Sequence, residues 1–175
     1  MDASGAVVAE KDEAYPFILI SHKMNVHTQS RTGSHRWAME IFPENFVVIN
    51  EKDAAMMGVA TGDAVRLESA SNPEGVVGKA EVSKLVRPGC VSISHHYGHS
   101  QLGAGRLAIK DGEKVFLGGG RVVDAQGLIP DPRLGRGISA NLLSRLDERL
   151  AETPMVDVVG GIPDFSSTRV KITKI

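Results

Sequence analysis

Between positions 43 and 89 the chain reads PENFVVINEKDAAMMGVATGDAVRLESASNPEGVVGKAEVSKLVRPG, an order of short strands, one brief helix and tight turns that leaves room for little but a β-rich domain. FVVI at 46–49 is a β-branched apolar run of strand length. Asn50 follows as an N-cap, and Asp53 stands three residues on, where a capping-box acid reaches back. Residues 53–57 make a short helix, and Gly58 can end it in left-handed backbone. ATGD at 60–63 reads as a turn, and 64–69 alternates apolar and polar like a half-buried strand. NPEG at 72–75 turns the chain into a strand over 76–86, and RPG at 87–89 turns it again into 90–93.

The flanks extend this pattern. YPFILIS at 15–21 is a strand, followed by a polar loop over 22–37. Residues 94–137 form a long Gly-rich segment, which in a compact domain is expected to be functional or packed on a partner. The spacing of Leu142, Leu143, Leu146 and Leu150 predicts an amphipathic helix over 139–151 that Thr153-Pro154 stops. TRVKITKI at 168–175 alternates as a closing strand. The expected core comprises Ile18, Val48, Met57, Val59, Val65, Leu67, Val82, Val91 and Val170, with 71–74 at the surface.

Composition excludes several functions. The net charge of −1 and 5% aromatic content give no footprint for nucleic acid or an anionic membrane. A lone cysteine, Cys90, excludes an internal disulfide, a cysteine-based zinc site and a four-cysteine iron–sulfur site, and is expected in the core. No run reaches the length of a membrane span. Residues 1–14 are small, polar and charged without an apolar h-region, so they read as a disordered leader, with the domain at 15–175.

Two polar clusters carry chemistry. His27-Thr28-Gln29-Ser30-Arg31-Thr32 alternates hydroxyls beside a histidine, a supply of short donors for phosphate oxygens and ring nitrogens. The same residues also suit a loop that makes its own local turns. His95-His96-Tyr97-Gly98-His99 follows a strand end. No acidic ligand or second His/Cys cluster stands near it, so a metal site is not expected there. Asn50 and Asp53 read as helix caps rather than as nucleotide contacts.

The phrases INEKDAAMMGVATGDAVRLES, VRPGCVSI and the upstream H-T-x-S-x-T resemble the C-terminal domain of molybdopterin oxidoreductases of the dimethyl sulfoxide reductase family. The resemblance runs from about Tyr15 to the end. It implies a mainly β fold, a six-stranded double-psi β-barrel with short helices. It implies molybdopterin guanine dinucleotide as cofactor, held by His27, Thr28, Ser30 and Thr32, with His96 and Tyr97 lining the cofactor or substrate funnel. Asn141 matches an asparagine that reads the guanine in periplasmic nitrate reductase-like members. Ser166 departs from the pattern, since a cofactor-contacting lysine stands there in those relatives.

The resemblance further implies that the molybdenum or tungsten ligand and any iron–sulfur cluster belong to other domains. The chain is then expected to bind cofactor without catalytic residues of its own, as an excised domain or a small separate polypeptide of the enzyme. YPFILISHKMNVHTQSRT and HHYGHSQLGAG look most like the tetrathionate, thiosulfate or polysulfide reductase branch, with arsenate reductases as neighbours. That branch implies a sulfur or arsenic oxyanion substrate and a periplasmic or exterior location. The alternative is a non-enzymatic double-psi adaptor of the kind found in AAA ATPases, which has no use for H-T-x-S-x-T.

Overall fold

The computed structural model describes residues 13–99, 104–105, 114–117, 121–124, 132–147, 153–157, 159–164 and 167–175. Six strands close into a barrel: β1 (Phe17–His22), β2 (Phe46–Asn50), β3 (Ala64–Ser69), β4 (Asn72–Ser83), β5 (Cys90–Ser94) and β10 (Arg169–Lys174). Around the barrel the order is β1, β10, β3, β4, β2, β5. Two pairs, β1 with β5 and β2 with β4, are parallel, and the other four are antiparallel. This is the expected six-stranded β-barrel, its pairing mixed, closed so that no edge strand is left unpaired.

Register decides what each end of the barrel can do. Strands β1, β5 and β3 run one way, and β2, β4 and β10 run back. One rim therefore collects the segment after β1, the segment after β5 and the β3–β4 hairpin. The opposite rim carries α2 (Glu51–Met57), the turn at 84–89 and the end of β10. Asn50 caps α2 by accepting from the Lys52 N–H at 2.9 Å, and Gly58 closes it with φ 64°. Asp53 does not reach back as a capping-box acid. It accepts from the Gly89 N–H at 2.7 Å and ties α2 to the turn before β5.

The core is the barrel interior: Leu19, Val47, Ile49, Val65, Leu67, Ala80, Val91, Ile93 and Val170, among others. Val59, Val65, Leu67, Val91 and Val170 lie there as expected. Ile18 and Val48 do not. In β1 and β2 the inward positions are Leu19, Val47 and Ile49, because a period of two puts their neighbours on the outer wall. A continuous apolar run hides which alternate is which. Met57 and Val82 are partly buried against the core. Cys90 is half-buried on the outer face rather than in the core.

Four other expectations change. The β3–β4 turn falls at 70–71, two residues before NPEG, because Ser69 pairs directly with Asn72. The loop after β1 contains a 3-10 turn at Gln29–Ser34 and then α1 (Arg36–Ile41). Inside the Gly-rich segment β6 (Lys114–Leu117) and β7 (Arg121–Asp124) form a hairpin. The helix over 139–151 is replaced by a 3-10 turn at Ala140–Leu143, then β8 (Leu146–Asp147) paired with β9 (Thr153–Pro154). The cause is tertiary. Leu143 is fully buried in the core, and the Leu142 and Ser144 carbonyls accept from Asn72 Nδ2–H at 3.0 Å and Ser71 Oγ–H at 2.7 Å. Carbonyls bonded to the hairpin are not free to propagate a helix. Most of the leader at 1–14, much of the Gly-rich segment and Ser166 lie outside the described residues.

Candidate cofactor site

The segments after β1 and β5 meet on one rim and interlock through buried polar groups. His27 is buried, with Nδ1 2.9 Å from Thr32 Oγ1 and Nε2 3.3 Å from the Phe42 carbonyl oxygen. A carbonyl only accepts, so Nε2 carries the proton and Nδ1 accepts from the Thr32 hydroxyl. The Thr32 oxygen in turn accepts from the Thr28 N–H at 3.0 Å. Tyr97 donates its hydroxyl to the same Phe42 carbonyl at 2.8 Å. His27 contacts Tyr97 edge-on at 4.8 Å between centroids and stacks on His96 at 5.6 Å.

His96 is 1% exposed and uses both ring nitrogens. Its Nε2 accepts from the Met24 N–H at 2.9 Å, so Nδ1–H is the donor to the Gln29 carbonyl at 2.7 Å. Gln29 takes a left-handed φ of 50°, and its side-chain oxygen lies 3.0 Å from His95 Nε2. Burial, the largest cause, lowers the pKa of His27, with the neighbouring His96 and His35 adding to it and the Phe42 carbonyl opposing it. Burial likewise lowers His22 and His95. The Tyr97 phenol is pushed up to about 12 by burial and keeps its proton.

His27, Thr32, His96 and Tyr97 are thus committed to one another and to backbone. They hold the loop and leave Thr28, Ser30 and Arg31 exposed on its outer side. Asn45 makes the second tie, which has no sequence signal. Its amide donates to the Ser94 and Ile138 carbonyls at 2.6 and 2.8 Å and accepts from the Ile138 N–H at 2.8 Å. Residues 138–144 therefore start beside Ser94 and Gly98 and end on the β3–β4 hairpin, along the same rim. Asn141 sits exposed in that crossing, in the 3-10 turn rather than a helix. Thr28, Ser30 and Asn141 share one end of the barrel, whereas Asn50 and Asp53 lie at the other. Gln29, Arg31 and Asn45 were missed by sequence reasoning. Only Arg31, a lone cation among hydroxyls, left a trace.

A family model described as molydopterin dinucleotide binding domain matches residues 17–115, more than half of the chain. The chain belongs to this family. Among its relatives, a selenate reductase polypeptide of Mesobacillus selenatarsenatis is 37% identical over the whole of this chain and 16% of its own length. A tetrathionate reductase polypeptide of Salmonella typhimurium is 30% identical over 92% of this chain and 14% of its own. Acetylene hydratase from Pelobacter acetylenicus shares the fold, with a TM-score of 0.57 at 14% identity over 93% of this chain and 19% of that one. This molydopterin dinucleotide binding domain is thus similar to molybdopterin oxidoreductases of the dimethyl sulfoxide reductase family, and spans 10–16% of the length of the curated relatives it matches. Its donor set suits a molybdopterin dinucleotide. Thr28, Ser30 and Arg31 are exposed within four residues of one loop, and hydroxyls and a guanidinium are donors for an anionic diphosphate.

Proposed function

We propose that the rim holds molybdopterin guanine dinucleotide for a molybdenum or tungsten oxidoreductase whose metal ligand lies outside this chain. Thr28 and Ser30 donate hydroxyls to the pterin and diphosphate, Arg31 supplies charge, and Asn141 pairs with the guanine edge. His27, Thr32, His96 and Tyr97 act one layer behind, as the frame of the loop. When bound, the cofactor supplies the redox chemistry, and this domain supplies binding and orientation. Likeness to a selenate reductase polypeptide and a tetrathionate reductase polypeptide supports an oxyanion of selenium, sulfur or arsenic as the substrate of the whole enzyme.

The observation that carries this reading is the division of labour in H-T-x-S-x-T: His27 and Thr32 turn inward and are saturated, while Thr28 and Ser30 face out. The test is cofactor retention in the full-length enzyme. Losing one hydrogen bond to a charged oxygen costs roughly 1.5–3 kcal/mol, so Ser30→Ala should weaken retention about tenfold or more without lowering the melting temperature. Unchanged retention in both Ser30→Ala and Thr28→Ala would remove the loop from the site. Base analysis of the released cofactor tests guanine, and elemental analysis separates molybdenum from tungsten.

A further inference from the structure

A cleft of about 320 Å³ opens on the outer wall below this rim, between the ends of β1 and β5 and the outer faces of β2 and β4. Its walls include Phe42 and Phe46, and its polar groups include His22, Glu44, Glu81 and Ser94. Glu44 is neutralised by Lys79, 2.6 Å away. Glu81 has no ion-pair partner among the described residues, and His22, whose Nδ1 is engaged by Ser92 Oγ at 2.7 Å, is kept from charging by burial. Ser94 is 2% exposed, and among the described residues its hydroxyl oxygen is the buried side-chain polar atom without a hydrogen-bond partner. A buried hydroxyl left unpaired is unfavourable unless something supplies the bond.

We propose that this cleft receives a guanidinium group on an apolar stem, the side chain of an arginine from a further segment of a longer polypeptide. The chemistry of the walls selects it. Aromatic rings accept the flat face of a guanidinium, Glu81 offers an unpaired carboxylate, and the Ser94 oxygen accepts an N–H. A lysine ammonium lacks the planar fork. A protein source fits because the relatives are about six times the length of this chain, so an open apolar cleft on its barrel wall has other parts of such a polypeptide to meet. The site is separate from the dinucleotide reading and stands or falls without it.

The test is an amide-resolved NMR titration of the 175-residue chain with N-acetyl-arginine N-methylamide, free arginine, N-acetyl-lysine N-methylamide and guanosine. The blocked arginine should give saturable shifts centred on Phe46, Glu81 and Ser94 and bind at least as tightly as free arginine. Glu81→Gln should weaken it fivefold or more, and Ser94→Ala should weaken it as well. Both variants should fold as the parent does, since Glu81 is exposed and Ser94→Ala removes a hydroxyl that bonds nothing. Equal binding of the lysine compound overturns the planar cation. Tighter binding of free arginine overturns the protein source. Binding of guanosine in preference to both assigns the cleft to the dinucleotide instead. No saturation, or no effect of Glu81→Gln, overturns the site.

Discussion

The buried ring of His96 holds Gln29 in a left-handed turn: Nδ1–H donates to the Gln29 carbonyl at 2.7 Å, and Gln29 is the non-glycine among the described residues with a φ in that region, at 50°. Such a backbone is disfavoured by about 1–2 kcal/mol and persists only where its surroundings over-determine it. The contact places Thr28 on one side of the turn and Ser30 on the other. A buried residue thereby fixes the backbone between the two exposed hydroxyl-bearing residues.

His96→Ala should therefore act through the frame. It orphans the Met24 N–H and the Gln29 carbonyl, each worth about 1–3 kcal/mol when left unsatisfied. The loss of stability should show as a lower urea midpoint, with faster proteolysis of the 23–34 loop. Ser30→Ala should change neither quantity. A His96→Ala protein with the parental midpoint would mean that the loop is held by something else.

Asn50→Ala should separate the two rims. Asn50 caps α2 and also donates its amide to the Val86 carbonyl at 2.6 Å. Loss of the cap costs about 1 kcal/mol, and an orphaned buried carbonyl adds about 1–3 kcal/mol. Cofactor content in the full-length enzyme should stay at the parental level, because this rim faces away from Thr28, Ser30 and Asn141. A selective loss of cofactor with unchanged stability would place the nucleotide at α2 after all.

Stability should fall on both sides of a neutral plateau. His22, His27 and His95 all have lowered values in the fold, from 6.5, so between that value and the folded one the unfolded chain binds more protons. Stability contributed by the neutral rings is full above about 6.5 and is lost as pH falls toward the folded values. Tyr97 works in the other direction. Its folded value of about 12 exceeds the unfolded 10.0, so its contribution is lost as pH rises between them. Urea midpoints across pH should show an acid limb starting near 6.5, which shrinks in His22→Gln. An acid limb that starts only in the carboxylate range would rule out the histidine cluster as its source.

The strands were legible because they are locally encoded, whereas their closure into a barrel came from the family resemblance. Strand-length apolar runs, the Asn50 cap, Gly58 and the turn at 87–89 each act within a few residues and stand where expected or within two residues of it, except the strand expected over 76–86, which runs from Asn72 to Ser83. What the chain did not reveal depends on distant partners. Leu142, Leu143 and Leu146 carry a helical period, yet hydrogen bonds from Ser71 and Asn72 unwind it. Val48 and Val47 are chemically alike, and only pairing with β4 and β5 settles which one faces inward. In the site, H-T-x-S-x-T was visible as a motif. The assignment of His27 and Thr32 to framing required Phe42 and Tyr97, fifteen and seventy residues from His27, and no local pattern connects them.

Two glycines with similar backbone angles should respond very differently to alanine. Gly58 has φ 64°, and a Cβ there meets nothing within 4 Å. Gly58→Ala should cost about 1–2 kcal/mol, the left-handed strain alone. Gly98 has φ 70°, and its Cβ would stand 2.2 Å from the Ser139 nitrogen and 2.5 Å from the Ile138 carbonyl carbon. Those are backbone atoms, so no rotamer change relieves the contact. Residues 138–139 would have to lift off, and the two bonds between Ile138 and Asn45, through which Asn45 ties the crossing to the Ser94 carbonyl, would loosen with them. Overpacking of this kind adds about 1–3 kcal/mol, which brings Gly98→Ala to about 2–5 kcal/mol in all. Because Asn141 rides three residues further along the same crossing, Gly98→Ala should also lower cofactor retention in the full-length enzyme, whereas Gly58→Ala should not. Chemical denaturation and cofactor content of the two variants, measured together, check both halves. Equal destabilisation would show that the close packing of Gly98 on 138–139 does not persist in solution.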